Sequence, residues 1–181
     1  MTDITFRPLS YADLPLMHHW LNEGEAFTWY GRKPTTLEEI TAEYTPTIEH
    51  TEPVSGFVIL IDTQPAGYIQ WYLTHDHPDY ARQVSVPLDS AGVDLFIGDD
   101  QYLHRGLGPA IMREFLRDVV FTDPRVGRCI VDPDERNTIA IRAYEKAGFH
   151  HLKTIQIIDE PAPSYFMELT RESFQVSGVR R

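Results

Sequence analysis

The sequence predicts an α+β domain. Three observations point there: apolar segments of strand length alternate irregularly with amphipathic helix patterns, turn residues separate them at short spacing, and two Ser/Thr-x-x-acid signatures open helices in the N-terminal quarter. Residues 1–181 are expected to form one domain, since this length buries a core without disulfide or metal staples and is short for two full-sized domains. Low-complexity disorder is excluded by 9 Tyr, 9 Phe and 3 Trp spread along the chain.

The elements follow in order. Residues 4–9 alternate as a first strand. Ser10-x-x-Asp13 opens a helix whose apolar residues Leu14, Met17, Trp20 and Leu21 fall at spacings of three and four. Thr35-x-x-Glu38 opens a second helix carrying Leu37, Ile40 and Tyr44 on one face, with Pro46 expected to end it. The apolar run 56–61, a turn at 62–65 and the run 66–73 read as a hairpin. Residues 74–91 are polar and broken at Pro78, Pro87 and Asp89-Ser90, which predicts a long loop. A strand with an acid inside it follows at 92–98. The turn at 103–109 then leads into a helix striped by Leu107, Ile111, Phe115 and Val119. Residues 129–131 form a short buried strand. Asn137 caps a further helix that Gly148 terminates in the left-handed conformation. Two strands at 151–158 and 164–169 complete the fold; the tail after Thr170 is polar, and its last residues are expected to fray.

The formal charge of −11 argues against a nucleic-acid partner and is compatible with a cationic ligand or with a simple solubility surplus. A single cysteine rules out an intramolecular disulfide framework and suits a reducing compartment. The N-terminal residues lack the basic and apolar regions of a secretory signal, and no run of about 18 apolar residues suggests a membrane span. A cytoplasmic protein without a membrane partner is therefore expected. His75-Asp76-His77 with Asp79 lacks the spacing of a metal-binding helix, and no metal is expected.

The strand, Gly106-x-Gly108 turn and helix succession suits an anion. A helix N-terminus leaves amide N–H groups unpaired, and glycine lets a phosphate approach them. A tight turn would use the same residues. The Walker A lysine is missing, and Ile111 stands where a dinucleotide fingerprint has its third glycine. Downstream lie Asp132-Pro133 and the helix Asn137-x-x-Ala140-Ile141-x-x-Tyr144-Glu145-Lys146-Ala147-Gly148-Phe149. Together the two segments resemble the GCN5-related N-acetyltransferase superfamily. Trp29-Tyr30-Gly31, Pro34-Thr35-Thr36-Leu37, Tyr44-Thr45-Pro46, Gly67-Tyr68-Ile69-Gln70, Gly92-Val93-Asp94 and Thr122-Asp123-Pro124 extend the resemblance over almost the whole chain, toward the plasmid-borne aminoglycoside 6′-N-acetyltransferases. Residues 74–90 match poorly. Leu103 also departs from the family, which usually has Gln or Arg three residues before the first glycine.

The resemblance implies a mixed central sheet flanked by helices on both faces, acetyl-CoA as co-substrate, no metal, and a small polycationic amine, the 6′-amine of an aminoglycoside, as acceptor. It makes Asp94 the group that holds the ammonium and takes its proton, and Tyr144 the acid toward the leaving thiolate. A raised Asp94 pKa does not follow from the sequence, since a neighbouring cation would lower it. It assigns coenzyme binding to Leu95, Phe96 and Ile97, to Leu103, His104, Arg105, Gly106, Leu107 and Gly108, and to Asn137 and Lys146. It assigns the amine site to Trp29, Tyr30, Tyr44, Asp94, Asp132 and Asp159. Two alternatives stay open: acetylation in siderophore or small-amine metabolism, and a non-catalytic acetyl-CoA-binding module.

Overall fold

The computed structural model describes residues 2–31, 33–158 and 160–178. Seven strands, β1 (Ile4–Pro8), β2 (Ser55–Ile61), β3 (Gln64–Leu73), β4 (Ser90–Ile97), β5 (Arg128–Val131), β6 (His150–Ile155) and β7 (Ser164–Thr170), form one sheet in the order β1-β2-β3-β4-β5-β7-β6. The sheet is mixed: β4 and β5 run parallel, whereas β1/β2, β2/β3, β5/β7 and β6/β7 are antiparallel. The chain clusters into two compact units, one from the residues up to Trp71 with Asp94–Leu107, the other from Tyr72–Val93 with the chain from Gly108 on.

In the first unit, Asp62 and Thr63 join β2 to β3 with φ of 48° and 70°, the left-handed pair of a type I′ hairpin turn. Asp13 accepts from the Ser10 amide (2.9 Å) and from both Arg7 guanidinium nitrogens (2.7 and 2.6 Å), which secures the start of α1 (Leu14–Asn22). Burial pushes the Asp13 carboxyl up, but hydrogen bonds from Arg7 and Ser10, with the Arg7 charge, outweigh it and hold the carboxyl below its ordinary value. The expected stripe of Leu14, Met17, Trp20 and Leu21 is buried. A short α2 (Gly24–Ala26) and a π-type turn (Phe27–Gly31) follow.

The second capping box sits one residue later than expected. Thr36 and Glu39 exchange bonds of 2.7 and 3.1 Å at the start of α3 (Leu37–Ile48). Thr35 is excluded from the box because the Asn22 side chain pins it, accepting from its amide at 2.8 Å and donating to its carbonyl at 3.0 Å. Pro46 lies inside α3 and does not end it. This far along the helix, its missing N–H removes one bond and Glu49 N–H still closes on Thr45 at 2.9 Å. Leu9, Leu14, Met17, Trp20, Leu21, Ile40, Tyr44, Val58, Tyr68 and Phe96 form the core of this unit.

The second unit corrects the expected loop at 74–91. A 3₁₀ turn (Thr74–Asp76) leads into α4 (Pro78–Val84). Pro78 starts this helix, where its missing N–H costs nothing, and Ser85 ends it in the left-handed region (φ 47°). Lys153 Nζ donates to the Val84 carbonyl, and the Ile158 amide donates to Gln83 Oε1 (3.0 Å), so α4 is bound to the C-terminal hairpin. A further expectation changes. The strand expected over 151–158 is β6, which stops at Ile155. Residues 171–178 form α7 (Arg171–Gly178), whose Arg171 guanidinium donates to the Phe121, Asp123 and Val126 carbonyls at 2.6, 2.6 and 2.8 Å, and the last residues of the tail, expected to fray, lie outside the described residues. α5 (Leu107–Asp118) buries Ile111, Met112, Phe115 and Leu116 and stops before Val119. α6 (Thr138–Ala147) has the Asn137 cap and the Gly148 terminus (φ 109°) read from sequence.

Candidate active site

Asp94 lies in β4 of the first unit. It is half-buried, and its carboxylate oxygen Oδ2 accepts from Gln70 Nε2 at 3.0 Å. Gln70 Oε1 in turn accepts from the Tyr68 hydroxyl at 2.8 Å. Tyr68 and Gln70 are two apart on β3 and so share a face of the strand. Loss of solvent pushes the Asp94 carboxyl above its ordinary value, and the Gln70 bond pulls it partway back. Burial, followed by neighbouring acidic groups including Asp94, pushes the hydroxyls of Tyr44 and Tyr68 well up, so both stay protonated.

Aromatic rings gather in the same unit. Tyr44 meets Tyr68 edge-on at 5.4 Å, and Phe96 packs at 5.9 Å from Tyr68 and 5.4 Å from Tyr30. The Tyr30 hydroxyl donates to the Leu95 carbonyl at 2.7 Å, tying the π-type turn to β4 one residue past Asp94. Trp29 is half-buried one residue earlier. The ladder between β4 and β5 pairs Ser90, Ala91 and Gly92 only, while β4 continues to Ile97. The expected coenzyme contacts Leu95, Phe96 and Ile97 are therefore beyond the paired stretch.

The turn before α5 is open. His104, Arg105 and Gly106 are exposed, and His104 and Gly106 take φ of 57° and 72°. A Cβ built on Gly106 would meet nothing within 4 Å, so glycine is required there by conformation and not by crowding. His104 Nε2 lies 3.0 Å from Glu25 Oε1, and Leu103 is half-buried. Leu107 and Gly108 begin α5, where the amides lack intrahelical acceptors. A Cβ on Gly108 would stand 3.4 Å from the Ala143 Cβ, so this glycine brings α5 close to α6.

The second unit holds the other sequence-predicted residues. Asp132, just after β5, accepts from the Tyr80 hydroxyl of α4 at 3.1 Å. Tyr80 packs edge-on to Tyr72 at 6.1 Å. Tyr144 is buried on α6 with its ring 5.8 Å from Phe149, and Lys146 is exposed two residues on. Asn137 serves the fold as a helix cap, its side-chain oxygen accepting from the Ala140 amide at 3.0 Å. Asp159 lies outside the described residues. Cys129 is fully buried. His75 pairs with Asp76 at 3.2 Å, and among the described residues no three His, Cys, Asp or Glu side chains gather as a metal site would require. Two contributors escape a reading of residues one at a time, Gln70 and Tyr80. For Gln70 the signal was the two-residue period with Tyr68; for Tyr80 it was Pro78 read as a helix start.

The sequence and the fold agree with known proteins. The model of the acetyltransferase (GNAT) domain family matches residues 10–157, and the chain belongs to that family. Its relatives include the aminoglycoside N(6′)-acetyltransferase type 1 of Klebsiella pneumoniae, 30% identical over 95% of this chain and 85% of that one. A lysine N-acyltransferase of a Mycobacterium species is 33% identical over 76% of this chain and 55% of its own length. The crystal structure of the aminoglycoside acetyltransferase AAC(6′)-Ib with coenzyme A and kanamycin superposes with a TM-score of 0.86 at 29% identity, over 97% of this chain and 99% of that one.

Proposed function

We propose that this chain moves the acetyl group of acetyl-CoA onto the 6′-amine of an aminoglycoside. The single observation that carries the reading is Asp94: a desolvated strand carboxylate held by a side-chain amide, in a chain 30% identical to an aminoglycoside 6′-N-acetyltransferase along most of its length. Acetyl-CoA, when bound, supplies an activated acyl group and a thiolate that leaves readily. The residues fit it: the turn at 103–108 offers an exposed backbone, a glycine without neighbours and the start of a helix, the features an anionic pyrophosphate needs.

Each protein group then has one role. Asp94 binds the substrate ammonium and accepts its proton at a carboxylate oxygen, a step that needs the ionised acid. Tyr144 holds at its hydroxyl the proton for the departing sulfur. Backbone N–H groups around Leu95 and Phe96 steady the carbonyl oxygen. Asp132 attracts a further ammonium group of the polycation. Cys129, enclosed in β5, has no access to substrate, which supports direct transfer without an acetyl-enzyme. The test is coenzyme A thiol release with kanamycin, with a 6′-hydroxy aminoglycoside and with a polyamine. Release with kanamycin alone supports the reading; release with the polyamine alone removes it.

A further inference from the structure

We propose that Gln70, locked by Tyr68, is a positioning residue that fixes how Asp94 presents its carboxylate and at which pH it becomes a base. The inference rests on the reading of Asp94 as the proton acceptor.

Hydrogen-bond direction is what Gln70 controls. A glutamine amide has one donating and one accepting end, and flipping it exchanges them. Gln70 donates to Asp94 Oδ2 at 3.0 Å, a bond that favours the ionised carboxylate. Flipped, it would present an oxygen to Asp94 and favour the protonated acid. The Tyr68 hydroxyl donates to Gln70 Oε1 at 2.8 Å and the ionised Asp94 only accepts, so the two partners together favour the orientation with the amide nitrogen toward Asp94. Tyr68 is itself a dependable donor: it is 3% exposed, and burial and the acids around it keep it protonated. Room for its hydroxyl is provided by Gly56, where a Cβ would stand 2.5 Å from the Tyr68 oxygen and 2.9 Å from Thr47 Cγ2. The ordering therefore runs from Gly56 through Tyr68 and Gln70 to Asp94.

Other groups share this pocket of the first unit. Tyr44 and Glu43 come from α3, Glu52 from the segment after it, and Tyr68 feels all three as well as Asp94. Glu52 Oε1 accepts from Thr47 Oγ1 at 2.5 Å. These are acids and phenols, so the Gln70 amide is the neighbour that lowers the Asp94 carboxyl.

The experiment has two readouts. One is the acidic limb of kcat/KM against pH for kanamycin acetylation. The other, independent of turnover, is the carbon-13 titration of the Asp94 carboxyl in the folded free protein. In Gln70→Leu the Asp94 midpoint and the acidic limb should both rise by about one pH unit, the scale of one lost charge-assisted bond. Tyr68→Phe keeps the ring and should shift both the same way by less, and Gly56→Ala should resemble it. Gln70→Glu should turn the single Asp94 step into two macroscopic steps shared by the pair. Variants that lose activity at every pH while the Asp94 midpoint stays at the wild-type value would reduce Gln70 to packing and overturn the inference. Full activity in Asp94→Asn would instead remove the base reading beneath it, so the two failures are distinguishable.

Discussion

Gly106→Val separates a phosphate-binding turn from a merely tight one. Nothing in the protein lies within 4 Å of a Cβ at this position, so the new side chain meets no wall. The cost in the free protein is conformational: φ is 72°, and the left-handed region costs an L-residue about 1–2 kcal/mol, more when it is β-branched. For a chain of 150–250 residues each kcal/mol lowers Tm by roughly 2–4 °C, so the variant should fold. In the loaded enzyme the valine occupies the space through which an anion reaches the α5 amides. Loss of one charge-assisted bond, about 1.5–3 kcal/mol, weakens coenzyme A about tenfold to a hundredfold. Titration calorimetry with coenzyme A measures this directly, with Gly106→Ala as the control for backbone strain. A folded Gly106→Val protein with wild-type coenzyme A affinity would refute the assignment of the turn.

Three further outcomes are expected. Tyr144→Phe should keep Tm, since the ring and its contact with Phe149 persist, and lose about 10²-fold in kcat under conditions where chemistry limits turnover; an unchanged single-turnover rate would make Tyr144 a core aromatic only. Asp132→Asn and Tyr80→Phe should each raise KM for kanamycin with little change in kcat. Added KCl should do the same in the wild type as the Debye length falls from about 10 Å at 0.1 M to about 3 Å at 1 M, and equal KM values for both variants and the wild type would dismiss the acidic docking of the substrate. Asp94→Asn should be inactive yet more stable than wild type at about pH 8. Burial holds the folded carboxyl above its unfolded value of about 4, so wild-type stability declines as pH rises through that interval. The Tm difference should close at about pH 3, where the aspartate is protonated folded and unfolded; a variant less stable at about pH 8 contradicts a desolvated Asp94.

Local rules made much of the fold legible. The stripe Leu14, Met17, Trp20, Leu21 and the pairing of Asn137 with Gly148 depend on neighbours three to eleven positions apart, and both appear as read. Two of the misreadings share a cause: each was decided by a distant partner. Thr35 lost the capping role because Asn22 holds it, and part of the segment expected as a loop is the helix α4, which Lys153 and Ile158 bind. The site follows the same rule. Asp94 was legible as an acid inside an apolar strand, whereas its partner Gln70 lies 24 residues back in sequence and Tyr80 lies 52 from Asp132.

The most direct test of the account is the position of the acetyl group on the product. Kanamycin incubated with acetyl-CoA and this protein, then analysed by two-dimensional NMR, should carry a single acetyl on the 6′-nitrogen, and the same mixture with Asp94→Asn should carry none. An acetyl on any other nitrogen, or untouched kanamycin beside an acetylated polyamine, would contradict it.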